Sequence, residues 1–179
     1  MDFTLSEEHQ AFADSVARFA QDKLKDGALA RAHSPHYPWE TAALLAEQGL
    51  LGIAFPEEDH GQGGSLMHAV LAIEQVALVC PRSADIVQAG NFGPIRTFVE
   101  YATPEQKQRY LPAACAGEKV GAICVTEPHA GSDVAGLKTR AIRDGDDGWL
   151  INGSKTFITN GVHADIYIVA CRTDPAAKG

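Results

Sequence analysis

The chain has 179 residues, 45% of them hydrophobic and 21% charged, with a formal net charge of −8. That length suffices to bury a core as one large domain or two small ones, and the acidic balance argues against nonspecific binding to nucleic acid or anionic membrane surfaces. No apolar stretch is long enough to span a bilayer. The opening MDFTLSEEHQ lacks both the basic and apolar regions of a signal peptide and the Arg-rich character of a mitochondrial presequence, so the expected compartment is the cytoplasm.

The first two-thirds read as helices. Ser6 is a good N-cap, followed by Glu7 and Glu8 at the positive helix end. Phe12, Val16 and Phe19 then recur on one face to about Leu24. A second helix is expected from near Pro38 to Gly49. FPEEDHGQGG is too rich in Gly, Pro and acid to be regular. A third helix starts at Ser65, with Leu66, Val70, Ile73 and Ala77 as its apolar face. Another starts near Ser83 and breaks at GNFGP, where Gly90, Gly93 and Pro94 interrupt the pattern. In TPEQ, Thr103 serves as N-cap, Pro104 as first helical residue and Gln106 as capping-box partner of a helix ending near Gly117.

Beyond Gly117 the pattern changes to strands, over Val120–Thr126, Trp149–Ile151, Lys155–Thr159 and Ile166–Cys171. Asp147-Gly148 and Asn152-Gly153 are turn signals between them, the second suited to a tight hairpin. The expected fold class is therefore α+β. A helical domain over 1–117 precedes an incomplete antiparallel β domain over 118–179. Four or five short strands rarely close a barrel, and Ile166–Cys171 reads as an interior strand, so a longer parent protein is expected. The cysteines Cys80, Cys115, Cys124 and Cys171 form no C-x-x-C pair and are expected as reduced, half-buried thiols. His33 and His36 have H-x-x-H spacing, but no Cys or carboxylate completes a metal set beside them.

Two motifs carry chemistry. In VTEPHAGSDV, Pro128 stops a strand, Gly131 permits close approach of a ligand, and Ser132 and Asp133 offer polar groups at the bend. As a nucleophile Ser132 lacks the G-x-S-x-G turn; His129 and His163 are the only bases to consider, and anion binding or a plain structural turn fits better. In NGSKTFITNG, a strand would put Phe157 and Thr159 on one face and Ile158 on the other. A ring and a hydroxyl side by side suit a flat heterocycle, and equally suit ordinary sheet packing.

CVTEPHAGSDVAGLKT, NGSKTFITNG and the helical preamble with GQGG together closely resemble the acyl-CoA dehydrogenase family, over Leu5 to Asp174. The family has a helical N-terminal domain, a middle β domain and a C-terminal helical bundle, and the resemblance covers the first and about half of the second. It implies FAD as cofactor, lined by Ile123 to Ser132 with Gly131 among them: Val125 and Thr126 at the pyrimidine edge and Ser132 near the pyrophosphate. Ser132 would also neighbour the CoA thioester. Phe157, where many members carry Trp, would pack against the isoalloxazine beside Ile158, and Thr159 would put its hydroxyl near flavin N5. The kinked helix around Val87 to Phe92 falls where members shape the acyl pocket. The implied reaction is α,β-desaturation of an acyl-CoA, within fatty acid metabolism and β-oxidation. Electron-transfer flavoprotein is the implied oxidant and a homo-oligomer the implied assembly. The family's base is a Glu of the C-terminal domain, so no catalytic residue is expected in this chain, and Glu127 reads as a structural partner of its turn. Two rival readings stay open. One is a flavin monooxygenase or oxidase of the same architecture; the other is a truncated, non-catalytic relative that binds a partner through an unfinished sheet edge.

Overall fold

The computed structural model describes residues 4–146 and 148–174. They form two compact units, divided between Val120 and Gly121.

The first unit is helical: α1 (Glu7–Lys23), α2 (Ala28–His33), α3 (Trp39–Glu47), α4 (Leu66–Ala77), α5 (Pro81–Ala89), α6 (Pro94–Tyr101) and α7 (Pro104–Cys115). Several boundaries follow from caps legible in the sequence. Ser6 accepts from the His9 N–H, and Thr103 and Gln106 complete the expected capping box. Sequence reasoning passed over α2 and the 3-10 turn at Glu57–Asp59. In α4 the expected face is half right: Ile73 and Ala77 are half-buried against the core, but its first two residues are not. Leu66 and Val70 are 46% and 51% exposed, while the buried residues are Ala69, Leu71, Ala72 and Val76. Alanines bring helix backbones closer together than leucines do, so the small residues became the contact face toward α1 and α5.

Between α5 and α6 the chain breaks as expected, and the break is held by a polar side chain. Asn91 is fully buried; its Nδ2 donates to the carbonyls of Leu50 and Val87, both at 2.8 Å, and its Oδ1 accepts from the Ile53 N–H at 2.6 Å. Around this pin lies the main core, including Val16, Leu24, Leu45, Ile53, Val76 and Val87. A smaller cluster joins Phe55, Ile95, Leu111 and Ala114. No helix among the described residues is long and apolar enough to cross a membrane.

The second unit has four strands: β1 (Gly121–Cys124), β2 (Arg140–Asp144), β3 (Gly148–Asn152) and β4 (Ile166–Val169). The antiparallel expectation holds for β2 and β3, which pair from Arg140↔Asn152 to Asp144↔Gly148. It fails for β1 and β4, which run parallel from Gly121↔Ile166 to Cys124↔Val169; the long intervening segment supplies the crossover that a parallel pair requires. Strand β2 had no counterpart in the sequence reading. The hairpin turn follows Asp144, with Gly145 at φ 71°, and Asp147 of the expected Asp147-Gly148 turn lies outside the described residues. Asn152-Gly153 is not a tight turn, because β3 stays paired through Asn152.

Nor is Lys155–Thr159 a strand. Phe157 and Asn160 have φ of 56° and 60°, and the Gly161 N–H closes a turn on the Ile158 carbonyl. Left-handed backbone at two positions is incompatible with a ladder. Consequently Phe157 and Thr159 do not share a strand face.

Replacing Asn91 by Ala is expected to destabilise the protein by about 3 kcal/mol, because an N–H and two carbonyls lose their partner inside a packed core. Urea unfolding followed by circular dichroism measures this; a loss below about 1 kcal/mol would mean that the core relaxes or admits water there.

Candidate functional site

The two motifs meet around one buried carboxylate. Strand β1 ends at Cys124, and the next residues turn back on themselves: the Glu127 N–H donates to the Ala130 carbonyl and the Ala130 N–H to that of Glu127. Pro128 and His129 occupy the exposed tip of this turn, as suits a residue with fixed φ and no N–H. The turn directs the Glu127 side chain inward, where it is 2% exposed.

There Glu127 Oε1 accepts from the Thr139 N–H at 2.8 Å, the Thr139 hydroxyl at 2.5 Å and Lys155 Nζ at 2.9 Å. Its Oε2 accepts from the Lys138 N–H at 2.7 Å and lies 3.3 Å from His129 Nε2. The Thr139 hydroxyl foremost, with the Lys138 N–H, the Lys155 ammonium and the Thr139 N–H, outweighs burial and holds this carboxyl well below the usual range. Glu127 is therefore ionised and fully engaged, a structural partner of its turn and unfit to abstract a proton.

The same contacts join the motifs. Lys155 Nζ also donates to the Val125 carbonyl at 2.9 Å, and the Thr156 N–H donates to the Thr126 carbonyl at 3.0 Å. The segment after β3 can reach this place because Gly153 lies flat against Thr139, where a β-carbon would sit 2.2 Å from the Thr139 hydroxyl. Close approach, not turn formation, is what calls for glycine at 153.

Around this knot the sequence-derived residues stand as follows. Ile123, at 36% exposure, is the outward residue of β1. Val125 and Thr126 are half-buried and adjoin the Lys155–Thr156 segment. Gly131 and Ser132 are exposed, and a β-carbon at Gly131 would meet nothing within 4 Å. Ile158 is half-buried and Thr159 exposed. The Phe157 ring is 92% exposed, on a backbone that residues with side chains seldom adopt. Bends with left-handed non-glycine residues concentrate where function constrains the chain. His129 faces Glu127, and among the described residues no hydrogen bond links Ser132 to His129 or His163.

In the helical unit, Val87 and Asn91 point into that unit's own core, and only Gln88 of 87–92 is fully exposed. The sequence reading missed Thr139 and Lys155. An acid and a base spaced 28 residues apart leave no periodic trace; the one available signal was a lysine two residues before Phe157 in a segment otherwise short of charge.

Comparison with known proteins covers nearly the whole chain. Residues 6–118 match the family described as acyl-CoA dehydrogenase, N-terminal domain, and residues 122–179 match acyl-CoA dehydrogenase, middle domain. The short-chain specific acyl-CoA dehydrogenase of Clostridium acetobutylicum is 36% identical over 97% of this chain and 46% of its own length. The NADH-dependent acryloyl-CoA reductase of Anaerotignum propionicum is 35% identical over 98% of this chain and 44% of its own. Among solved structures, a glutaryl-CoA dehydrogenase from Mycobacterium smegmatis in complex with FADH2 superposes with a TM-score of 0.86 at 31% identity, covering 95% of this chain and 44% of that one. The chain thus spans about half the length of the relatives it matches.

Because the folded pKa of Glu127 is depressed, the stability it contributes is fully present above its unfolded value of about 4.3 and is lost as pH falls through the lower folded value. Glu127→Gln is expected to lower the melting temperature at pH 7. The gap to the unsubstituted protein should narrow below about pH 4. Thermal melts from pH 7 to 3 test this, and two parallel curves would exclude the carboxylate as the source.

Proposed function

The chain belongs to the acyl-CoA dehydrogenase family, and on that premise we propose that the protein it comes from is an FAD-dependent acyl-CoA dehydrogenase that desaturates the α,β bond of an acyl-CoA thioester. The observation that carries this reading is the tie between the two motifs at Lys155 and Thr156. It sets the half-buried Val125 and Thr126 beside a segment whose next residue, Phe157, offers a ring 92% exposed.

The residues present fit FAD. An exposed aromatic ring on a strained backbone supplies a stacking surface. The Gly131 bend has open space where a β-carbon would project, so a ligand can approach the main chain there. Two hydroxyls, on Ser132 and Thr159, face solvent. Ile123 and Gly131 would line the cofactor, Val125 and Thr126 would hold the pyrimidine edge, Ser132 would lie near the pyrophosphate and the thioester, and Phe157, Ile158 and Thr159 would hold the ring. Bound FAD would supply a hydride acceptor for the substrate β-carbon. This chain's residues would bind and orient the ring, with the Phe157 ring packed against it. The α-proton requires a carboxylate base. Glu127, wholly committed to its buried donors, is not that group, and we assign the base to a residue beyond this chain.

The rest of the reading follows the family resemblance: electron-transfer flavoprotein as oxidant, a homo-oligomeric enzyme, and a role in fatty acid β-oxidation. Its four cysteines are free thiols, which suits a reducing compartment such as the cytoplasm.

The complete polypeptide is expected to purify yellow, and saturated acyl-CoA thioesters should bleach its flavin absorbance under anaerobic conditions. Phe157→Ala should weaken FAD retention about tenfold, the loss of roughly one aromatic stack, as read by fluorescence titration of the stripped protein. A colourless protein that takes up no added FAD would overturn the reading.

A further inference from the structure

Lys155 makes more contacts than the buried carboxylate requires of it. Without Lys155, Glu127 still accepts from the Lys138 N–H, the Thr139 N–H and the Thr139 hydroxyl, so both oxygens remain satisfied. Burying an ammonium, here 10% exposed, has a desolvation cost that an already satisfied carboxylate does not need to incur. What distinguishes Lys155 is its second bond, to the Val125 carbonyl at 2.9 Å. No other side chain among the described residues donates to that carbonyl. The next peptide along is held in turn by the Thr156 N–H on the Thr126 carbonyl.

We propose that Lys155 is a positioning residue for the flavin: it fixes the Val125 carbonyl and so the Val125–Thr126 peptide plane, and its charge makes the bound ring easier to reduce. The inference rests on the FAD reading above. Glu127 serves as the counter-ion that keeps the ammonium in place, and Thr139 and Gly153 keep Glu127 in place. Reduction would add negative charge to the ring, and an ammonium fixed on the Val125 carbonyl would stabilise that charge. A carbonyl already engaged by an ammonium also has less freedom to rotate, so less ordering remains to be done when the ring binds.

The test uses the complete polypeptide. Lys155→Met keeps the aliphatic stem and removes the charge. FAD should bind about tenfold more weakly, the effect of one charge-assisted hydrogen bond, and the midpoint potential of the bound flavin should become more negative. Lys155→Arg should restore both. Lys155→Gln, which keeps a donor but no charge, should recover affinity more than potential, and it provides the reading where Met disrupts folding. Ala141→Gly, which removes a buried methyl group from β2 and none of the hydrogen bonds of Glu127 or Lys155, serves as a control for general loosening and should change neither value.

Unchanged affinity and potential in Lys155→Met would overturn the proposal. Equal changes in Ala141→Gly would do the same, because a loosened unit would then suffice to explain them. Failure of the unsubstituted protein to bind FAD is a separate result, and it would remove the cofactor reading together with this one.

Discussion

The second unit depends on one ionised carboxylate in a buried position. Glu127 collects donors from three segments: 138–139 leading into β2, Lys155 after β3, and its own turn after β1. Each contact is ordinary alone. Together they fix the relative placement of three stretches of irregular chain, which no ladder of backbone hydrogen bonds could do. An apolar cluster would hold the same segments together, but it would tolerate small slips. A carboxylate with both oxygens committed does not, because each displaced donor gives up a directed, charge-assisted bond in a buried place.

The two units therefore solve the same problem differently. The helical unit holds together by close packing through small residues, with Ala69, Ala72 and Val76 wholly buried, and one asparagine to satisfy the backbone where α5 gives way to α6. The second unit buries little of comparable size; Ala122, Cys124, Ala130 and Ala141 are its buried apolar residues. Many of its larger apolar side chains, among them Ile142, Trp149, Leu150, Val162 and Phe157, are exposed, and others such as Ile166 and Ile168 are only half-buried. The Arg143 guanidinium, 4.5 Å over the Trp149 ring, covers part of that surface from within the hairpin. With so small a core, its geometry rests on directed polar contacts.

This contrast explains what could be read from the sequence. Helix caps are local, so Ser6 and the Thr103–Gln106 box appear three residues apart in the text and in space alike. The helical-then-sheet order and the position of both motifs were legible for the same reason. The face of α4 was legible only in part: Ile73 and Ala77 do pack on the core, but the alanines Ala69 and Ala72 lie deeper than Leu66 and Val70, which periodicity had favoured for their size. The supposed strand at Lys155–Thr159 failed because its alternation of apolar and polar residues arises in a bend whose backbone bonds go elsewhere. Glu127 was identified as a partner of its turn, yet the identities of Thr139 and Lys155 come from tertiary contacts that no spacing rule encodes.

A ligand-binding loop must be stiff in direction yet open in front, and a hydrophobic core supplies neither property well. Burying the large side chains would close the space a flat heterocycle needs, and leaving the loops unbraced would make ordering them a cost of each binding event. The arrangement around Glu127 separates the two demands. The bracing is polar, buried and far from symmetrical, with most donors on one oxygen and the ammonium shared with a main-chain carbonyl. The surface in front keeps its ring at Phe157, its open bend at Gly131 and its hydroxyls at Ser132 and Thr159. An ion pair adds little net stability when buried. What it contributes here is orientation, which is why the strain at Phe157 can persist: the chain is held on one side by the Lys155 and Thr156 bonds and on the other by the Ile158–Gly161 turn.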